Sequence, residues 1–212
     1  MKSVIFLAPP AAGKGTYSNY LIKKFAYQPF STGDILRKRA LQDENLSAIL
    51  ASGKLVDDDL ILEIIESELQ NLDEKQAFIF DGVPRTLYQA EELDKILNSL
   101  NRQDYVVVYI DVAQSTLKDR IVGRRVCPNC HRSYNVVFEE FKPQVEDICD
   151  DCGSALVQRK DDNLESFESR LLEYKKSTYP LKDYYEKQGK LYRLEVLDNQ
   201  ESTLKHLEEI LK

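Results

Sequence analysis

A chain of 212 residues, 42% hydrophobic and 31% charged, with 12 Tyr, 8 Phe and no Trp, has the composition of a globular protein and not of a disordered or fibrous one. Its formal net charge of −7 disfavours a broad nucleic-acid-binding face, which needs a basic footprint to displace counterions from phosphates, so any basic site must be local. The length suits one core domain with a small inserted unit.

Residues 4–8 form an apolar run shorter than the roughly 7 to 15 residues of a secretory signal, and no stretch approaches a membrane span. A cytoplasmic protein without membrane or nucleic-acid partners is expected. Residues 4–7 read as a buried strand and residues 13–24 as a helix; the alternation recurs at strands 77–81 and 105–111. Such runs, without polar alternation and separated by helical stretches, predict parallel strands covered on both faces. Residues 31–72, between the first two of these strands, read as mostly helical, with Asp57 capping a helix whose apolar positions are Leu60, Ile64, Ile65, Leu69 and Leu72. A helix over 115–122 leads into the turn-rich stretch 123–160. The helical pattern resumes at Asp162, which with Glu165 has capping-box spacing, and a last strand is expected over 191–197 with a final helix from Ser202.

The loop VIFLAPPAAGKGT (residues 4–16) fails the generic phosphate-loop pattern: Ala8 stands at its first glycine and Gly15 follows Lys14 where Ser or Thr is required. Gly13-Lys14-Gly15-Thr16 still keeps the part that cradles phosphate oxygens at a helix N-terminus. The competing reading is a strand-to-helix turn with an incidental Gly-Lys. All four cysteines fall in the turn-rich stretch, as Cys127-x-x-Cys130 and Cys149-x-x-Cys152 separated by 18 residues, the arrangement of a four-cysteine zinc site. Two disulfides, a redox pair or an iron–sulfur site are the alternatives, the first disfavoured in a reducing compartment.

Two more segments, Ser31-Thr-Gly-Asp-Ile-Leu-Arg37 and Asp81-Gly-Val-Pro-Arg-Thr-Leu-Tyr-Gln89, follow the loop. With them the chain resembles the adenylate kinase family of nucleoside monophosphate kinases, in which GxPGxGKGT, STGDxLR and DGFPRTxxQ occur in this order. The likeness continues through Asp119-Arg-Ile-Val-Gly-Arg-Arg125 and Arg159-Lys-Asp-Asp162 to Arg170, nearly the whole chain. It implies an α/β fold, a P-loop doubly wound parallel sheet with an inserted monophosphate-binding helical segment and a zinc-bearing lid. The divisions expected are a core of 1–30, 57–122 and 161–212, an AMP-binding insert of 31–56 and a lid of 123–160.

The resemblance also implies an activity and its residues: ATP + AMP = 2 ADP, in a monomer. Lys14, Arg85, Arg120, Arg124, Arg159 and Arg170 would be catalytic. ATP would lie against Ala11, Ala12, Gly13, Lys14, Gly15 and Thr16, with Arg120, Arg124, Ser133, Tyr134 and Glu201. AMP would meet Thr32, Arg37, Lys54, Leu55, Val56 and Gly82, then Val83, Pro84, Arg85 and Gln89, whose amide can read the adenine edge, together with Arg159 and Arg170. Mg2+ would bridge the ATP phosphates through water held by Asp81, assisted by Asp34, while Zn2+ on Cys127, Cys130, Cys149 and Cys152 would staple the lid without an open catalytic position.

Departures from the family pattern are Ala8, Ala11, Val83 for Phe, and Leu197-Asp198-Asn199 near the adenine. Val83 is expected to loosen AMP packing, and either alanine to cost about 1–2 kcal/mol if it must adopt left-handed geometry. A kinase preferring UMP or CMP is the alternative enzyme. A non-catalytic relic would have lost charged positions that this chain keeps. A recruiting zinc ribbon would be basic or apolar, whereas residues 138–152 carry Glu139, Glu140, Glu146, Asp147, Asp150 and Asp151.

Overall fold

Five strands, β1 (Ser3–Leu7), β2 (Gln28–Ser31), β3 (Phe78–Asp81), β4 (Tyr105–Asp111) and, after the hairpin strands β5 (Arg124–Val126) and β6 (Ser133–Asn135), β7 (Leu191–Glu195), build one parallel sheet in the order β2-β3-β1-β4-β7. The computed structural model describes residues 1–52, 55–196 and 200–212, Asp34 by its backbone alone. Within β1 the alternation of strand side chains sends Val4 and Phe6 to one face and Ile5 and Leu7 to the other, and both faces are buried. One face is covered by α4 (Asp58–Gln70), α5 (Leu87–Ser99) and α8 (Leu181–Lys187), through Ile65, Leu69, Leu93, Leu97, Leu181 and Tyr185. The other face packs on α1 (Lys14–Phe25), α6 (Gln114–Gly123), α7 (Leu164–Glu173) and α9 (Gln200–Ile210), through Leu21, Leu117, Ile121, Phe167 and Leu207. This is the doubly wound arrangement expected. Each fully buried Phe or Ile side chain contributes about 1.5–3 kcal/mol.

The strand β2 is absent from the sequence reading. Of its four residues only Phe30 is buried, and Pro29 lacks the donor a central strand needs; the edge position tolerates both. Between β2 and β3 the described residues form three helices, α2 (Thr32–Ala40), α3 (Glu44–Ser52) and α4, the last capped as expected by Asp57, whose carboxylate accepts from the Leu60 N–H at 3.2 Å. At α7 the cap differs from expectation. Asn163, not Asp162, accepts from the Ser166 N–H at 2.9 Å, because the Asp162 carboxylate is engaged by Arg124. The chain leaves α7 through one wide turn in which Tyr179 N–H donates to Tyr174 C=O at 2.8 Å. The final helix begins at Gln200, two residues before the expected start.

The stretch 123–160 contains the antiparallel pair β5–β6, with bridges of Val126 to Val157 and Ile148 to Ala155. Its own buried cluster is only Cys127, Tyr134, Cys149 and Leu156. Among the described residues no helix is long and apolar enough to cross a membrane.

Candidate functional site

At the carboxyl ends of β1 and β3, beside the point where successive strands leave to opposite sides of β1, a cavity of about 250 Å³ opens. Its floor is the loop after β1. Ala12 N–H donates to Pro9 C=O at 3.3 Å, and Gly13 takes φ 97°, a left-handed geometry at the start of α1 that suits glycine. Gly13 to Thr16 therefore set the N-terminus of α1 against the cavity, with the Thr16 N–H already donating to Gly13 C=O at 2.9 Å. Ala11 also sits left-handed, at φ 65°, a conformation that costs a residue with a Cβ about 1–2 kcal/mol. Ala8, in contrast, is not among the positive-φ residues and is buried at the end of β1, so no glycine is needed there. Replacing Ala11→Gly should raise unfolding free energy by about 1 kcal/mol in denaturant melts, since the strain exceeds the extra freedom glycine gives the unfolded chain. A stability that falls would place the strain elsewhere.

Positive charge converges on this floor from distant segments. Lys14 Nζ lies 3.4 Å from the carbonyl oxygens of both Ala8 and Pro9. Its pKa is lowered to about 8, first by burial and then by Arg85, Arg170 and Arg124, against the attraction of Asp81. Arg37, Arg85, Arg120, Arg124, Arg159 and Arg170 all line the cavity, as does Asp81 at the end of β3. Burial lowers the pKa of Arg85, and that of Arg170 to about 10.

Carboxylates hold two of these arginines in place. Arg124 is bound by both oxygens of Asp162, its Nε donating at 2.9 Å, and Asp162 is 5% exposed. Arg170 Nη1 donates to Asp161 Oδ2 at 2.8 Å. Burial pushes the Asp161 carboxyl upward, yet Arg170, Arg124 and Arg37 together hold it below the usual carboxylate range. Arg85 Nε donates to Gly82 C=O at 2.7 Å and Arg120 Nη1 to Ala12 C=O at 3.2 Å. The cluster is thus arranged in advance for an anion with several oxygens.

The cysteine motif lies over this floor. Ser133 Oγ is 3.6 Å from the place a Cβ on Gly15 would occupy, Lys23 of α1 pairs with Asp151 at 2.5 Å, and Asn19 Nδ2 donates to His131 C=O at 3.5 Å. The four Sγ atoms lie within 4.8 Å of one another, with Cys127–Cys152 at 3.4 Å and Cys130–Cys149 at 3.5 Å. Tetrahedral zinc–thiolate bonds of about 2.3 Å need sulfurs about 3.8 Å apart, so the set fits such an ion. Two matching turns present them: His131 N–H donates to Cys127 C=O at 3.0 Å and Gly153 N–H to Cys149 C=O at 2.9 Å, both residues left-handed.

Most of the expected contact residues reach the cavity, but several do not. Ala11, Ala12, Gly82, Ser133 and Tyr134 line it; Leu55 and Pro84 line a smaller neighbouring cavity; Lys54, residues 197–199 and the Asp34 side chain lie outside what is described. Thr32 is buried behind the wall made by Ser31 and Gly33, with its hydroxyl 3.4 Å from Asp81 C=O, and Val56 packs against the core. Val83 is 1% exposed within the core cluster, so its replacement of Phe changes core volume and not an AMP-facing surface. Gln89 lines neither cavity. Glu201 is exposed and paired with Lys205 at 2.7 Å; Gln200 and Thr203 of the same helix line the cavity in its place. Sequence reasoning also omits Asn135, Phe138 and Phe141, which line the overhanging side.

The chain matches the family profile described as Adenylate kinase over residues 6–190. It is 42% identical to the adenylate kinase of Caldanaerobacter subterraneus subsp. tengcongensis, over 91% of this chain and 88% of that protein. Identity is 40% to the adenylate kinases of Fervidobacterium nodosum and Caldicellulosiruptor bescii, each alignment covering 99% of this chain and 97% of the relative.

Proposed function

This chain belongs to the adenylate kinase family and catalyses phosphoryl transfer between ATP and AMP, and from that premise we propose how its residues divide the work. The observation that carries the proposal is the convergence on one cavity of Lys14, Asp81 and the arginines 37, 85, 120, 124, 159 and 170. Transfer of a phosphoryl group gives a protein little covalent chemistry to perform, so positioning and charge neutralisation dominate.

Gly13 to Thr16 hold the ATP phosphates at the start of α1, Lys14 follows the transferring group, and Arg120 with Phe138 and Phe141 flanks the purine. Arg37, Arg85 and Arg170 hold the AMP phosphate, while Arg124 and Arg159 complete the cage from the two ends of the 123–160 segment. An AMP phosphate oxygen, ionised at neutral pH, attacks the γ-phosphorus in line; the bond to the β–γ bridging oxygen breaks and ADP leaves. No general base is needed. Asp81, which lines the cavity, would hold the water shell of a Mg2+ bound with ATP, and that ion would supply charge neutralisation across the phosphates.

Residues 31–56 serve as the acceptor insert and residues 123–160 as a lid that keeps water from the γ-phosphate. A contact between Gln89 and the acceptor base requires movement of the residues over it. Zinc is the ion we assign to the four cysteines: four soft ligands leave no open position, so it acts as a staple. Four reduced thiols fit a cytoplasmic protein, and a monomer is the state we assign, a reading supported by a cavity lined from the described residues of a single chain. A coupled assay of ADP formation with AMP, UMP and CMP as acceptors tests the assignment. AMP is expected to give the highest kcat/KM, and faster turnover of UMP would overturn it.

A further inference from the structure

Gln89 is 2% exposed, and its amide lies between two groups of fixed hydrogen-bonding sense. The Arg85 backbone N–H, which can only donate, reaches Gln89 Oε1 at 2.7 Å; Gln89 Nε2 donates to Asp58 Oδ1 at 2.7 Å. The other Asp58 oxygen is also engaged. Thr86 Oγ1 accepts from the Gln89 N–H at 3.1 Å, and its own proton goes to Asp58 Oδ2 at 2.7 Å. Asp58 opens α4 and Gln89 sits in the first turn of α5, so the clamp joins two packed helices and not a loop. Turning the amide over would set its NH2 against the Arg85 N–H and its oxygen against a carboxylate oxygen. Both contacts would be repulsive.

We propose that Asp58 is a positioning residue that sets acceptor-base specificity by fixing which end of the Gln89 amide donates and which accepts. An amide carries two N–H donors and two lone pairs; the clamp uses one of each and leaves one of each. Adenine offers a donor at its 6-amino group and an acceptor at N1, whereas a 6-oxopurine offers the reverse at the same two positions. A freely turning amide suits either base. A locked amide suits one, and because AMP is the acceptor, the locked order is adenine's. This rests on the proposed contact of Gln89 with the acceptor base.

The test compares kcat/KM for AMP and IMP, with saturating Mg-ATP, in the wild type, Asp58→Asn, Asp58→Ala and Gln89→Ala. Asn keeps the shape of Asp58, but its NH2 can face the Gln89 oxygen, so the turned amide is then opposed by the Arg85 N–H alone and not from both ends. The AMP-to-IMP preference is expected to fall at least tenfold in Asp58→Asn, with KM for ATP unchanged, and to fall also in Asp58→Ala and Gln89→Ala. Both acceptors are assayed on one preparation, so the ratio is independent of any loss of folded protein. If Gln89→Ala lowers the preference while both Asp58 variants lose AMP and IMP turnover in equal proportion, Asp58 is merely structural and the proposal is overturned. If Gln89→Ala leaves the preference unchanged, the base is read elsewhere, and the reading and the proposal fall together.

Discussion

Replacing Lys14→Met is expected to lower kcat by about 10²–10³-fold or more, while the ligand-free protein melts at a higher temperature than the wild type. The first effect follows from removing the ammonium that lies against the Ala8 and Pro9 carbonyls of the loop proposed to hold the transferring group. The second comes from its surroundings. Lys14 is charged below about pH 8 in a cleft already lined by Arg85, Arg124 and Arg170, and burial is the largest force acting against that charge. Methionine fills similar volume without it, so about 1–3 kcal/mol should be recovered, allowing for solvent in the open cleft.

The same lysine gives opposed pH dependences. Its folded pKa, about 8, lies below the ordinary lysine value of 10.5. Between those two values the unfolded chain binds the additional proton, so the Lys14 contribution to stability rises with pH through this window. Activity runs the other way. kcat/KM for ATP reports the free enzyme and should decline above about pH 8 as the ammonium is lost, whereas kcat, measured with phosphates bound, should hold to higher pH. Retained turnover in Lys14→Met, or a kcat/KM profile flat to pH 9.5, would remove Lys14 from the mechanism.

What the sequence made legible divides along a physical line. Runs such as Val106-Val107-Val108 are apolar on both sides because both faces of the sheet are covered, and a local reading finds them. β2 escapes because an edge strand needs neither continuous burial nor every donor, and Pro29 reads as a breaker. Asp162 is the clearest case of a long-range partner overriding a local pattern. Its spacing to Glu165 matches a helix cap, but Arg124, 38 residues earlier, takes the carboxylate, and the neighbouring Asn163 caps the helix. The error at α9 is one of phase: successive helical side chains point about 100° apart, so moving from Glu201 to Gln200 exchanges an exposed ion pair for a cavity wall. The loop shows both outcomes, since Gly15 belongs to the motif whereas only the backbone angle reveals that Ala11, and not Ala8, carries strain.

Removing the metal should disable the protein without unfolding its sheet. The overhanging segment buries only Cys127, Tyr134, Cys149 and Leu156 in its own cluster, far too little apolar surface to offset the ordering of its chain. A metal held by the four cysteines would supply the balance, as in small zinc modules that are unfolded without their ion. The sulfur geometry favours one ion per chain; Tyr134 Oη, accepting from the Asp150 N–H at 2.7 Å and lying 3.4 Å from Cys149 Sγ, ties the second turn to the hairpin. Exhaustive chelation, or Cys149→Ser, should release one zinc per chain and speed proteolysis within residues 123–160. Turnover should drop about tenfold or more, because Arg124 and Arg159 stand at the ends of that segment and line the cavity proposed to hold the phosphates. The far-ultraviolet signal of the core should persist to a separate, higher melting transition. Single-step melting at an unchanged temperature after demonstrated zinc loss would mean that the hairpin, its Lys23–Asp151 contact with α1 and the Arg124–Asp162 pair hold the segment without a metal.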